Sequence, residues 1–160
     1  MSRAFVRERE SESPDAPPDL KISAHPNRVT RRGQRLIDEN IARIEAELSA
    51  GPDDARAAWL KRDLRYWSNR SATAQLTEPL DPRSDEVTFG SRVKIARDGH
   101  EPETVEIVGE DESDPATGYV SWVAPLAVAM MGGQPGDKVV VGHREPPLEV
   151  EILEVDNRVT

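Results

Sequence analysis

Four carboxylates, Glu110, Asp111, Glu112 and Asp114, crowd residues 110–114 inside the stretch "IVGEDESDPATGYVSWVAP" (107–125). Oxygen donors in that density suit three uses. They can hold a hard divalent cation, face a basic partner surface, or form a solvated turn, for which Asp114 and Pro115 have the right local geometry. A second acidic pair, Asp53 and Asp54, directly follows Gly51 and Pro52. His25, His100 and His143 show no ligand spacing, and the chain has no Cys. Disulfides, thiolate metal sites and Cys nucleophiles are thereby excluded. No Ser/His/Asp set, Gly-rich phosphate loop or nucleotide motif is visible. The expectation is a chain without catalytic residues, cofactor or standing metal site, which is not an enzyme.

Charge is spread unevenly. The net charge of −9 divides into −1 over residues 1–27, +3 over 28–75 and −11 over 76–160. An acidic C-terminal half argues against a groove that tracks nucleic-acid phosphates, because such binding rests on Lys and Arg neutralising them. Any nucleic-acid contact is expected to be indirect. "MSRAFVRERE" does not read as a signal peptide, and the weakly polar run Trp122 to Gly133 is too short to span a bilayer. The expectation is a soluble, cytoplasmic protein without membrane contact.

Three textures follow one another along the chain. Residues 8–19, "ERESESPDAPPD", have too little to bury to offset their ordering entropy, so 1–27 is expected to be a disordered tail, with Arg3, Phe5 and Arg7 as a conceivable docking motif. Residues 28–76 read as an antiparallel helical hairpin. Ile37, Ile41, Ile44 and Leu48 form one seam; Leu60, Leu64, Trp67, Ser71 and Ala74 form another. Thr30 is a plausible N-cap, and Gly51 with Pro52 marks the turn. Asp53 and Asp54 sit where acids favour a helix start, a capping role that needs no further function.

A linker over 77–86 leads to a domain at 87–157, where the period becomes two. Strands are expected in "VTFGSRVKIA" (87–96), "TVEIV" (104–108), "GYVSW" (118–122), "KVVVG" (138–142) and "LEVEILEV" (148–155). "PLAVAMMGG" (125–133) can form one short helix, with Leu126, Met130 and Met131 facing the core. Strands not separated by regular crossover helices define an α+β class, here an antiparallel sheet carrying one helix.

The series from "IVGEDESD" through "VSWVAPLAVAMMGGQPGDKVVV" resembles the C-terminal domain of the GreA/GreB transcription elongation factors. The family's run of Ser, Pro-Leu-Ala, Ala, two large apolar residues and Gly-Asp is met by Ser121, Pro125, Leu126, Ala127, Ala129, Met130, Met131, Gly136 and Asp137 in order. "FGSRVKI" resembles the family's first strand, and "LEVEILEV" its closing strand. Ala124 replaces the family's second Ser. The resemblance implies an FKBP-like C-terminal domain behind a coiled-coil hairpin, with RNA polymerase as partner. It also implies that this domain docks at the rim of the polymerase secondary channel, with Ser121, Val123, Ala124, Pro125 and Leu126 at the interface.

Family members that stimulate transcript cleavage carry "GDLSENAEY" near the hairpin tip, whose carboxylates help hold a second magnesium in the polymerase active centre. That motif is missing here. The hairpin is also shorter by roughly a dozen residues per arm, which withdraws the tip by about 18 Å. The expectation is therefore polymerase binding with weak or no cleavage stimulation. Asp53 and Asp54 are the only conceivable tip ligands, for a weak magnesium contact formed only within the polymerase complex. Two other readings compete. One is a regulator of the Rnk kind, which shares the C-terminal domain on a short helical stem and is linked to nucleoside diphosphate kinase. The other is an FKBP-like prolyl isomerase, which needs an aromatic-lined apolar pocket, whereas the domain offers only Phe89, Tyr119 and Trp122.

Overall fold

The structure, a computed structural model, describes residues 16–158. Its first regular unit is a pair of antiparallel helices, α1 (Arg31–Ser49) and α2 (Asp54–Thr73). Thr30 is extended and its Oγ1 accepts from the Gly33 amide at 3.0 Å, capping α1 as its residue type favours. The chain reverses at Gly51, whose φ of +73° is a conformation other residues adopt at a cost. Asp53 then caps α2, its Oδ1 accepting from the Arg56 amide at 2.8 Å.

Ile37, Ile44 and Leu60 are fully buried between the helices. The other expected seam residues, Ile41, Leu48, Leu64, Trp67, Ser71 and Ala74, are only half-buried. A two-helix unit has one neighbour per face, so only the central stripe is closed off from water. At 1.5 Å per residue the helices are about 29 and 30 Å long. Their bases are clasped by two short parallel strands, β1 (Arg28–Val29) and β2 (Gln75–Leu76).

The remaining strands are β3 (Arg92–Ala96), β4 (Glu103–Val108), β5 (Tyr119–Ser121), β6 (Lys138–Val141) and β7 (Leu148–Asp156), with helix α3 (Pro125–Met130) between β5 and β6. They form one five-stranded sheet in the order β5-β4-β3-β7-β6. Alternate residues Val93, Ile95, Val105, Ile107, Val150 and Ile152 join Ala127 and Met130 of α3 in a common core. Alternation puts every second side chain on that face.

Three expectations need correction. The sheet is mixed, because β5 runs parallel to β4, with Ile107 opposite Val120. The acidic stretch is thus a crossover rather than a tight turn: two short 3-10 turns, Glu110–Glu112 and Pro115–Thr117, carry the chain back to start β5 alongside β4. The first strand begins at Arg92 rather than 87, since Gly90 at φ +87° turns the chain before it. Finally, residues 16–27 of the expected tail have defined partners. Asn27 is buried and donates to the Arg70 carbonyl at 2.7 Å, Ser23 donates to Glu110 Oε1 at 3.0 Å, and Asp19 pairs with Arg65 at 2.7 Å. These polar bonds run to the hairpin and to the acidic stretch. Residues 1–15, including Arg3, Phe5 and Arg7, lie outside the described residues.

Candidate functional site

The acidic crossover meets the base of the hairpin. Arg70 is buried in the last turn of α2, where a cation complements the helix end. Its Nε lies 2.5 Å from Asp111 Oδ2. Tyr66, one turn earlier on the same face, donates to Asp111 Oδ1. The Tyr66 hydroxyl is pushed up to about 12, first by burial and then by its hydrogen bond to, and the charge of, Asp111. Glu112, itself buried, accepts from Thr30 Oγ1 at 2.6 Å and from Arg32 Nη1 at 2.9 Å. Thr30 therefore caps α1 and binds the crossover through one hydroxyl.

Close backbone approach completes the joint. A Cβ on Gly109 would stand 2.4 Å from the Arg28 carbonyl oxygen, and one on Gly33 would stand 2.7 Å from Glu112 Oε2. This arrangement is none of the three uses read from the sequence but an internal clamp: Asp111 and Glu112 direct their oxygens at the hairpin. Only Asp114 of the four is exposed. Among the described residues, no group of three or more His, Asp or Glu side chains is arranged to hold a metal ion.

The strand-to-helix corner lies at the other end of β5. Ser121 is buried, and its Oγ accepts from the Val123 amide at 3.3 Å. Ala124 occupies the N-cap position of α3 with extended backbone and no side-chain bond to the helix. A serine there would provide the capping oxygen; Ala124 leaves it out. Val123, Ala124 and Leu126 are half-buried, and Pro125 is exposed. Of the residues expected to face the core, Met130 is fully buried and Leu126 packs against the core, whereas Met131 is exposed. One residue's difference turns Met131 about 100° around the helix axis from Met130. Val128, 60 % exposed, joins Pro125 and Met131 as uncovered apolar surface, and Ala127 takes the buried place.

The tip is separate from both. Asp53 and Asp54 are exposed at the far end of the hairpin, where Arg56 and Glu47 tie the two helices at 2.7 Å. The three domain aromatics serve different places. Phe89 is core, Tyr119 lies under the Arg32 guanidinium at 3.7 Å, and Trp122 packs against Arg28 at 4.9 Å and edge-on to His25. The sequence reading missed Arg32, Tyr66 and Arg70 as the crossover's partners. The one available signal was the spacing of Tyr66 and Arg70, which places a tyrosine and an arginine one turn apart beside an apolar seam. No helix among the described residues is long and apolar enough to cross a membrane.

Comparison with known proteins finds relatives of this chain. Residues 82–157 match the family described as "Transcription elongation factor, GreA/GreB, C-term". The chain is similar to transcription elongation factor GreB of Neisseria meningitidis serogroup B, at 38% identity over 98 residues, covering 61% of this chain and 60% of that protein. It is similar over a longer span to transcription elongation factor GreA of Nitratiruptor, at 34% identity over 130 residues, covering 80% and 78% of the two chains. Among solved structures it is similar to GreA factor homolog 1 of Thermus thermophilus, at 16% identity and a TM-score of 0.39, covering 82% of this chain and 99% of that one. The relatives so named are transcription elongation factors, and the chain spans about 60% of the length of the first of them. By the longer match, the chain belongs to the GreA/GreB family.

Proposed function

We propose that this protein binds RNA polymerase at the secondary channel and regulates elongation with weak or no stimulation of transcript cleavage. The observation that carries the reading is the length and chemistry of the lever. Helices of 19 and 20 residues end in a tip whose carboxylates are Asp53 and Asp54, and Asp53 already caps α2. A carboxylate that does not reach a metal cannot ligate it. Both aspartates are exposed oxygen donors that fit a hydrated magnesium ion; any such contact belongs to the polymerase complex, where the other ligands would reside. Docking is assigned to the corner, Ser121, Val123, Ala124, Pro125 and Leu126, extended by the uncovered Val128 and Met131. The half-buried positions shape the corner, and the exposed apolar ones supply area to bury.

The test uses backtracked polymerase complexes with this protein, alone and in competition with a cleavage-competent GreA or GreB. The expected result is that it displaces the competitor and leaves the transcript largely uncut. Val128→Lys is expected to abolish displacement while leaving the circular dichroism spectrum unchanged. Cleavage at the competitor's rate would overturn the short-lever reading, and failure to compete would overturn polymerase docking.

A further inference from the structure

A cavity of about 150 Å³ lies where the first turn of α1 faces the linker and the sheet. Arg31, Arg32, Arg35, Arg92 and Arg158 all line it, drawn from the hairpin, β3 and the stretch after β7. Five arginines against four carboxylate partners leave this cluster net positive in a protein of net charge −9. Only Glu78 and Glu106 oppose it from the lining. Glu78 pairs with Arg31, and Glu106 lies 3.7 Å from Arg92 Nη2. Arg158 pairs with Asp156 at 2.9 Å, and Arg32 with Glu112 at 2.9 Å. Arg35 has no ion pair among the described residues, and its side chain is exposed.

Each pairing occupies part of a guanidinium that has five N–H donors, so donors remain for a further acceptor. Several arginines brought together repel one another, and a bound anion removes that repulsion while accepting charge-assisted, often bidentate bonds. Size narrows the anion. The cavity is smaller than the roughly 300–1,000 Å³ typical of sites for drug-sized molecules, and the Tyr119 ring already carries Arg32. The space suits a phosphate group or two, not an enclosed nucleobase.

We infer that this cavity is a binding site for a pyrophosphate group, whether free or as the end of a nucleotide, gripped by Arg31, Arg35 and Arg92. The inference is independent of polymerase docking, since the isolated chain is expected to bind. The test is calorimetric titration of the full chain with inorganic pyrophosphate, ATP and adenosine at low salt. Pyrophosphate and ATP are expected to bind one per chain, adenosine not at all, and Arg35→Ala to lower the pyrophosphate affinity about tenfold, the worth of one charge-assisted hydrogen bond. Arg65→Ala, on the solvent side of α2, is the control for loss of charge alone. Both replacements are at exposed helical positions where alanine is favourable, so the fold is expected to survive.

Absence of saturable pyrophosphate binding would overturn the inference. Equal losses in Arg35→Ala and Arg65→Ala would do so too, by showing diffuse attraction. Binding of ATP without pyrophosphate would mean recognition of the base. A loss of polymerase binding in Arg35→Ala with pyrophosphate affinity unchanged would assign the arginines to an acidic protein surface instead.

Discussion

Replacing Arg70 by Met tests whether the crossover clamp holds the two halves of the molecule together. The Arg70 side chain is 2% exposed and that of Asp111 10%. An exposed ion pair contributes only about 0–1 kcal/mol. Removing one partner of a buried pair costs about 3–5 kcal/mol, because the remaining charge is left without compensation. Here Arg70→Met strands Asp111, whose other named contact is a single Tyr66 hydroxyl. Against a total stability of about 5–15 kcal/mol for a small protein, that loss is large. Asp111→Asn in the Arg70→Met background removes the stranded charge and keeps an acceptor for Tyr66, so the double variant is expected to recover about 1–2 kcal/mol. Urea denaturation followed by tryptophan fluorescence reads both halves, since Trp59 and Trp67 lie on α2 and Trp122 on the sheet domain. Coincident transitions at each probe are required for the free energies to be comparable. A cost below about 1 kcal/mol for Arg70→Met, or no coupling in the double-mutant cycle, would refute the reasoning, because the pair would then be behaving as a surface one.

Two further outcomes are expected from the same joint. The Tyr66 pKa stands at about 12 in the folded chain against an ordinary 10.0, so its contribution to stability is complete below the ordinary value and is lost as pH rises through the folded one. Alkaline denaturation should therefore steepen across that interval in the parent and be flatter there in Tyr66→Phe; identical profiles would remove Tyr66 from the joint. Gly109→Ala is expected to cost about 1–3 kcal/mol through overpacking, because its Cβ meets the Arg28 carbonyl rather than a movable side-chain end. Gly109 has an ordinary φ of −69°, so the loss would arise from crowding alone, and a melting temperature equal to the parent's would contradict the close approach.

The hairpin was legible because its information is local. Ile37, Ile44 and Leu60 recur at helical spacing, and Thr30, Gly51 and Asp53 mark the ends by their own backbone preferences. The strand regions were legible for the same reason, and the Ser121 to Asp137 run carried the family resemblance. Strand direction was not legible. Alternation in "GYVSW" is the same whether β5 runs parallel or antiparallel to β4, and only the path of residues 109–118 decides it. The clamp was hidden for a related reason: nothing near Glu112 in sequence names Thr30 or Arg32, and nothing near Arg70 names Asp111. Exposure along α3 was half-legible, since a single turn and a half leaves Met130 and Met131 to be separated only by the sheet's position. The path of residues 16–27 depended on polar partners in the hairpin and sheet, which composition does not reveal.

The clasp between β1 and β2 has a consequence for how reach can change. Backbone bonds from Gln75 to the Asn27 carbonyl and from Thr77 to the Val29 carbonyl bring the chain together on either side of residues 30–74. The distal turns of the intervening helices, beyond the clamp residues Thr30, Arg32, Tyr66 and Arg70, form a cassette that could be lengthened or shortened without refitting the foundation. Matched insertions in both arms would advance the tip by about 1.5 Å per residue, so length is an independently adjustable dimension of this architecture.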